Sequence, residues 1–337
     1  MKILNIGSKS IHVSSFLHRM QELDQYLFVE ESCGYLSDEK EFFFKIRGLN
    51  FFAIIFNFWK MNTTLKKLNP EIIHIHQLNR FAFFVCLFAN KKTPIISTAW
   101  GSDVLIIPWK NKLFYSITKY LINRSSIVTA DSTDMIESMM KIIPVSSKYQ
   151  KLQYGIQYVT PKTKQNIIYS NRLHKSLYRI DRIIEYFSEF VKTNHDWSLI
   201  VAGVGEETEK LKEKAIKLGV MDKIDFVGWL DQSQNHYYYS IAKVYVSIPM
   251  SDGTSVSLLE AMSAGCIPIV SNLPVSNEWI KHLRNGIIEN LNENPMFHIQ
   301  KFNLDQVYNE NIEKLDKQNV SFEMSKQTFL KLYKSII

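Results

Sequence analysis

Residues 251–265, SDGTSVSLLEAMSAG, form the stretch that most directly indicates the fold. They follow a β-branched strand predicted at residues 243–248. The pattern then predicts a loop and a short helix that ends at Gly265, because glycine accepts the left-handed conformation found after many helix C-termini. In open parallel sheets, ligands bind beyond the carboxyl ends of the strands. We therefore expect a binding site at this loop.

The side chains and amides of this loop suit a phosphate ligand. Asp252 places a carboxylate at the end of the strand, and Glu260 lies further along the helix, where it could accept both hydroxyls of a ribose. The first amides of a helix lack partners within the helix and attract anions such as a diphosphate. The residues that would supply these amides are Gly253, Thr254, Ser255 and Val256. An ordinary capped core helix, with Glu260 on the surface, fits the same pattern.

The same order of strand, turn and helix recurs along the chain. In the first half, strands are predicted at 2–6, 71–75, 94–98 and 126–130, with helices such as 52–68 and 113–122 between them. In the second half, strands are predicted at 166–169, 197–202, 223–227, 243–248 and 267–270. This alternation is typical of α/β domains with parallel sheets. Gly155 and Pro161 interrupt it, so we predict domains at 1–158 and 159–320, with a closing helix at 321–337.

Composition limits the class of protein. The chain has 337 residues, of which 46% are hydrophobic and 22% charged, as in a folded globular protein. Its net charge of +7 favours a phosphate-bearing or polyanionic partner but does not choose among nucleic acid, membrane and small substrate. No apolar stretch approaches the roughly 20 residues that span a bilayer. The first residues do not resemble a signal peptide, and the three cysteines are isolated. We expect a cytoplasmic protein.

Asp252 and Glu260 resemble the two acids of the Glu-x7-Glu motif of GT-B glycosyltransferases. The helix Leu-Glu-Ala-Met-Ser-Ala-Gly at 259–265 is similar to that of the retaining, family-four-like members, and an Asp-Gly-Thr start is familiar in one branch. The resemblance implies two Rossmann-like domains whose parallel sheets face across a cleft. It implies that a sugar is transferred from a nucleotide sugar with retained configuration. It also implies that Asp252 contacts the donor sugar and Glu260 the ribose.

Other segments resemble the family in the same order. Arg172 stands where relatives hold the donor diphosphate, and its planar guanidinium suits phosphate oxygens, although a surface arginine at a strand end would also fit. Relatives commonly carry a lysine where this chain has Tyr178. Lys175 is a candidate substitute, but an ordinary surface lysine fits better.

The resemblance also assigns residues around the nucleotide. Gly203 lies in a Gly-x-Gly turn that approaches the nucleotide in relatives, and Val227 corresponds to the wall of the base pocket. Thr208 occupies the place of the third glycine of a dinucleotide fingerprint, which argues against NAD. Lys9 lies in a loop that corresponds to the family's loop near the donor phosphates, although a plain turn fits equally.

Residues 98–103, TAWGSD, lie where relatives often carry His-Gly-x-Asp. Trp100 replaces that histidine, but retaining enzymes of this fold are thought to pass the acceptor's proton to the departing phosphate. Asp103 is a candidate for contacts with sugar or acceptor hydroxyls, or for a cap of the next turn. His74 and His76 point the same way from one strand, and without a third ligand we predict core or cleft histidines.

No Asp-x-Asp triplet occurs in the chain, so we predict neither a metal nor another cofactor. Arg172 and helix amides would then stabilise the leaving group. The acceptor side is expected to meet a membrane through aromatic and basic residues, although a buried helix fits 51–59 equally. These residues are Phe42, Phe43, Phe44, Lys45, Arg47, 51–59, Lys60, Lys66, Lys67 and 108–114.

We therefore expect a transferase that uses a nucleotide sugar, with UDP favoured over GDP, and a saccharide acceptor that is lipid-linked, in surface polysaccharide or lipopolysaccharide assembly. Peripheral attachment at the inner face of the plasma membrane would fit this acceptor. Two alternatives stay open: a GT-B nucleotide-sugar epimerase, for which no acid/base pair is found, and a non-catalytic subunit that binds a nucleotide or partner. A nucleic-acid-binding protein would need a clustered basic element that this chain lacks.

Overall fold

The computed structural model describes residues 1–46 and 51–337. Arg47, expected in the basic patch, lies outside them. The chain divides into two compact units, Met1–Gln153 with Phe322–Ile337, and Tyr154–Ser321. The sequence placed the first boundary a few residues later, at 158, and assigned the C-terminal helix to the first domain.

The first unit contains a parallel sheet whose strand order is β3-β2-β1-β4-β5-β6-β7 among the described residues. Its strands are β1 Lys2–Ile6, β2 Asp24–Val29, β3 Glu41–Phe43, β4 Ile72–His76, β5 Ile95–Thr98, β6 Ile127–Ala130 and β7 Tyr149–Lys151. Its helices are α1 Ile11–Arg19, α2 Phe51–Leu68, α3 Arg80–Phe88, α4 Ser102–Leu105, α5 Lys112–Arg124 and α6 Thr133–Met140. The order reverses between β1 and β4, as in Rossmann-like sheets.

The second unit repeats this arrangement, with the parallel order β10-β9-β8-β11-β12-β13. Its strands are β8 Gln165–Ser170, β9 Ser198–Ala202, β10 Ile224–Gly228, β11 Ala242–Ser247, β12 Ile267–Val270 and β13 Ile287–Ile288. Its helices are α7 Ile180–Phe190, α8 Thr208–Lys217, α9 Gln232–Ile241, α10 Val256–Ser263, α11 Pro274–Trp279 and α12 Leu304–Lys317. The order reverses between β8 and β11, so the loops that follow these strands are adjacent.

The predicted α/β class with two Rossmann-like domains is confirmed, and every strand predicted from the sequence is present within two residues. The sequence pattern missed β2, β3, β7 and β13. Three of these have only two or three residues, too few to display a period, and β2 begins with polar residues.

The C-terminal helix, α13 Phe322–Ser335, packs on the first sheet. Its Tyr333 hydroxyl lies 2.6 Å from Nδ1 of His74, whose Nε2 lies 2.8 Å from Thr98 Oγ1. His76 bonds to Asn5, and burial lowers its pKa to about 3. Both histidines are buried, with ring centroids 4.1 Å apart. The prediction of core or cleft histidines is confirmed for the core.

The aromatic residues expected at a membrane separate into buried and exposed groups. Phe44 is buried against Phe28, and Phe42 packs on the same core, so the prediction that they face a membrane is wrong. The reason is that β3 pairs with β2 and turns these rings inward. The exposed group lies on α2, where the alternative of a buried helix is wrong for Phe52, Ile55, Phe56 and Trp59.

Candidate functional site

Arg172 and Asp252 meet at the point where the second sheet reverses its order. Arg172 follows β8 and Asp252 follows β11, and these strands are direct neighbours. The Arg172 Nη2 donates to Asp252 Oδ2 at 2.8 Å, and Nη1 donates to Ser255 Oγ at 2.7 Å. The arginine side chain is only 12% exposed. The interpretation of Arg172 as a surface residue is therefore wrong.

The ring of Tyr178 supports the Arg172 guanidinium. The Arg172 Cζ lies 4.5 Å from the centroid of that ring, which is favourable for a planar cation on an aromatic face. Although burial by itself lowers the pKa of Arg172, the carboxylate of Asp252 holds that pKa above its ordinary value. Burial raises the pKa of Asp252, and Arg172 opposes this change. Relatives commonly carry a second cation, a lysine, at the position of Tyr178. In this chain the tyrosine ring instead helps to hold the Arg172 guanidinium in place.

Helix α10 begins beside this ion pair. Ser255 is its N-cap, and the Ser255 Oγ accepts from the Leu258 amide. The amides of Leu258 and Leu259 also donate to the Ser255 carbonyl, so those of Val256 and Ser257 precede the first bonds within the helix. The Gly253 amide donates a hydrogen bond to the neighbouring Asp252 carboxylate, and this bond lowers the pKa of Asp252. Thr254 is buried next to Gly253. The helix ends as predicted, with Gly265 at φ +76°.

Glu260 is buried within α10. It is 7% exposed, so the alternative interpretation as a surface residue is wrong. Its Oε1 lies 3.3 Å from Nε2 of His236, which comes from α9. A buried carboxylate is costly unless it is hydrogen-bonded, and two ribose hydroxyls could supply further donors.

Gly203 and Gly205 pack against the segment that carries Arg172. A Cβ at Gly203 would lie 2.5 Å from the carbonyl oxygen of Arg172, and one at Gly205 would lie 2.3 Å from that of His174. No side chain fits at these distances. The two glycines therefore allow the loop after β8 to pack closely. This packing alone requires glycine at position 203, whether or not a ligand binds there.

Val227 and Lys175 differ in how they relate to this site. The register of β10 on β9 shifts between Phe226 and Gly228, so Val227 is an extra residue in an edge strand. Its backbone groups lie outside the ladder and are suited to meet a ligand. Lys175 is exposed and precedes a short turn at Ser176–Tyr178, as expected for an ordinary surface lysine.

Comparisons with known proteins decide the family. Residues 154–314 match the family described as "Glycosyl transferases group 1", and residues 6–132 match that described as "Glycosyl transferase 4-like". The chain belongs to the GT-B glycosyltransferases. An uncharacterised glycosyltransferase of Methanocaldococcus jannaschii is 25% identical over 388 residues, which cover 99% of this chain and 96% of the relative.

Two further proteins are similar to this glycosyltransferase. The alpha-monoglucosyldiacylglycerol synthase of Streptococcus pneumoniae is 29% identical over 101 residues, covering 30% of this chain and 23% of the synthase. The crystal structure of Anabaena HepE in complex with UDP aligns with a TM-score of 0.81 at 12% identity, covering 99% of this chain and 100% of HepE. At that identity, the structural likeness establishes the fold.

In the first unit of the glycosyltransferase, Asp103 lies inside the protein and not at the surface where a sugar could reach it. It is fully buried; Oδ2 accepts from the Leu78 amide at 2.9 Å, and Oδ1 accepts from the Trp100 amide at 3.0 Å. Burial raises its pKa to about 6. The prediction that Asp103 contacts sugar hydroxyls is therefore corrected, because both oxygens hold the main chain. Lys9 lies exposed on the loop after β1.

A network that the sequence analysis missed supports the end of β8. Asn171, the residue before Arg172, donates to Asn235 Oδ1 and to the Tyr239 hydroxyl, both at 2.7 Å. Tyr169 also donates to Asn235 at 2.7 Å. These residues are far apart in the sequence and share no motif, so only their packing reveals them.

Proposed function

We propose that this glycosyltransferase transfers a sugar from a nucleotide-sugar donor, with UDP favoured over GDP, to a saccharide acceptor with retention of configuration. The observation that carries the proposal is the Arg172 bridge between Asp252 and the start of α10. It places a permanent cation and helix amides at one point, where a diphosphate leaving group would need both. The similarity to HepE, crystallised with UDP, supports the choice of base.

Each residue of the site has a role in this reaction. Arg172 and the amides of Val256 and Ser257 stabilise the charge that develops on the departing diphosphate. Asp252 accepts hydroxyls of the transferred sugar, and Glu260 accepts those of the ribose. Because the acceptor attacks on the face that the phosphate leaves, its proton passes to the phosphate. This route needs no imidazole, in agreement with Trp100 at the position where relatives carry histidine.

A screen of UDP- and GDP-sugars tests this function. We expect one or more UDP-sugars to raise the thermal unfolding temperature and to be hydrolysed slowly in the absence of acceptor, because binding to the native state stabilises it. GDP-sugars should do so less. If no nucleotide sugar is stabilising or hydrolysed, the proposal is wrong.

We propose further that the reaction needs no metal and no other cofactor. Among residues 1–46 and 51–337, no group of three or more His, Cys, Asp or Glu side chains is arranged to hold a metal ion. The same screen therefore includes excess chelator, in which the donor should be hydrolysed at nearly the normal rate. Loss of activity that magnesium or manganese restores would contradict this part of the proposal.

The acceptor is proposed to be a lipid-linked saccharide of surface polysaccharide or lipopolysaccharide assembly, reached from the inner face of the plasma membrane. Helix α2 exposes Phe52 (81%), Ile55, Phe56 and Trp59 (63%), which the helical spacing places on one face. Contiguous exposed apolar residues of this kind mark interaction surfaces. Within the described residues, no helix is long and apolar enough to span a bilayer. The pneumococcal relative is named for a glycolipid product, which supports a lipid acceptor.

Exposed lysines accompany this apolar face along the chain. Lys60, Lys66 and Lys67 are exposed on the same helix, and Lys45 is exposed shortly before it. Trp109 and Leu113, in the second predicted patch, are exposed as well. Apolar side chains that insert and lysines that meet anionic headgroups together give reversible attachment.

Binding to vesicles tests this attachment. We expect the protein to sediment with anionic vesicles, weakly with neutral ones, and to be released by salt, since each lysine near the surface contributes about 1 kcal/mol that salt screens. Replacing Phe56 and Trp59 by serine, or Lys60, Lys66 and Lys67 by glutamine, should reduce sedimentation but not donor hydrolysis. Ile216→Ser, an exposed apolar residue on α8, is the matched control. A wild-type protein that ignores anionic vesicles at low salt contradicts the membrane proposal.

A further inference from the structure

Asn235 of α9 lies between two segments of the proposed donor site. Its Oδ1 accepts from the Asn171 side-chain amide and from the Tyr169 hydroxyl, both at 2.7 Å, at the end of β8. Its Nδ2 donates to the carbonyl of Leu230 at 3.2 Å and to that of Asp231 at 2.8 Å, in the segment that follows β10. All four hydrogen-bonding positions of this side chain are therefore in use.

The partners of Asn235 determine how its amide is oriented. Carbonyl oxygens can only accept, so the nitrogen must face Leu230 and Asp231 and the oxygen must face the Asn171 nitrogen. A side chain with acceptors alone, or with donors alone, would leave one of the two segments without a partner. Asn235 is therefore suited to join a segment that accepts hydrogen bonds to one that donates them.

The segment before α9 includes the residues that resemble the wall of the base pocket. Val227 is the extra residue in β10, and Gly228 follows it at φ +71°, a conformation that residues with side chains rarely adopt. Trp229 is 66% exposed at this point. The chain then enters α9 at Gln232, where the Asn235 amide holds it. One end of the base wall is thus held by β10 and the other by Asn235.

On its other side, Asn235 is connected to the phosphate end of the site. Asn171 directly precedes Arg172 and also donates to the Tyr239 hydroxyl at 2.7 Å. Tyr239 is fully buried, and a hydrogen bond with Ser257 opposes the rise in its pKa that burial causes. Ser257 belongs to the first turn of α10, whose amides are assigned to the diphosphate. A continuous set of hydrogen bonds therefore joins the base end of the site to its phosphate end.

We infer that Asn235 is a positioning residue, which holds the wall of the base pocket in place relative to Arg172 and so strengthens binding of the nucleobase. The inference rests on the proposed function, in which UDP lies across both segments. Without the Asn235 amide, residues 229–231 lose two of the hydrogen bonds that fix them, and the ligand has to order them when it binds. The loss then concerns contacts with the base and spares those with the ribose and phosphates.

Competition binding of UDP and of ribose 5-diphosphate tests the inference, because the second compound has the ribose and both phosphates but no base. Asn235→Leu keeps the size of the side chain and removes its hydrogen bonds. We expect it to weaken UDP binding about tenfold, which corresponds to one or two ordinary hydrogen bonds, and to leave ribose 5-diphosphate binding unchanged. The KM for hydrolysis of the UDP-sugar should rise by the same factor and kcat should stay the same.

Tyr169→Phe is a milder variant that is expected to fold, because it removes one hydroxyl and leaves the bond from Asn171 to Asn235. It should weaken UDP binding in the same direction but less. Gln232→Leu and Tyr237→Phe change exposed residues of α9 and are the matched controls, which should bind both compounds normally. Thermal unfolding checks that each variant is folded, and Tyr169→Phe decides the result if Asn235→Leu is not.

Two results would overturn the inference. In the first, the folded variants bind UDP like their controls, or lose affinity for UDP and ribose 5-diphosphate equally. In the second, the wild type binds the two compounds with the same affinity, so that no base contact exists. A wild type that does not bind UDP at all is a separate outcome, which contradicts the proposed function and this inference with it.

Discussion

Arg172→Ala is expected to slow hydrolysis of the donor by about 10²-fold or more, the usual effect of removing one preorganised donor from a developing anion. The guanidinium donates to both Asp252 and Ser255, so its loss removes the cation and also releases the two groups that it orients. The measurement is single-turnover hydrolysis of the UDP-sugar that the screen identifies, together with calorimetry of UDP.

Arg172→Lys separates charge from geometry. Lysine retains a cation but cannot donate from two nitrogens in one plane or cover the Tyr178 ring as the guanidinium does, so we expect an intermediate rate. Arg284→Ala, which removes an exposed arginine paired with Glu310, is the control and should leave the rate unchanged. If folded Arg172→Ala and Arg172→Lys proteins both hydrolyse the donor at the normal rate, the diphosphate does not lie at this arginine.

Glu260→Gln is expected to weaken UDP binding by roughly ten- to a hundredfold, because hydrogen bonds to a charged group contribute about 1.5–3 kcal/mol. Glu260 lies within α10, beyond the N-terminal end where Arg172 contacts Ser255. The substitution should therefore weaken contacts with the ribose and leave those with the phosphates unchanged. Competition experiments with UDP and with inorganic diphosphate measure this difference. UDP should lose affinity, and diphosphate should keep it.

Two variants control this result. Glu213→Gln removes an exposed carboxylate from α8 and should bind UDP normally. His236→Phe removes the partner of Glu260 and should weaken UDP binding in the same direction, since the carboxylate would lose its orientation. If Glu260→Gln binds UDP with wild-type affinity, or weakens UDP and diphosphate equally, Glu260 does not hold the ribose.

The sequence predicted elements best where the pattern was long and local. Among β1 to β12, every strand of four or more residues except β2 was predicted to within two residues of its observed ends. The prediction succeeded there because a run of β-branched residues followed by an amphipathic helix repeats regularly. The prediction of a membrane-facing cluster was wrong for Phe42 and Phe44. Their rings pack on the core, because the short strand β3 joins the sheet at this point. The prediction of a sugar contact was also wrong for Asp103, whose burial depends on packing by residues distant in the sequence.

The sequence alone determined the α/β class, a short helix that ends at Gly265, and the spacing of Asp252 and Glu260 along the chain. These features depend on the periodicity of side chains and on caps, which act over a few residues. Only the tertiary structure decided that Arg172 reaches Asp252, 80 residues away, and that Tyr178 lies under its guanidinium. It also decided that Arg179 and Arg182 both contact Glu289, more than 100 residues away. The physical reason is that strand order places loop ends together, and no local pattern encodes which strands become neighbours.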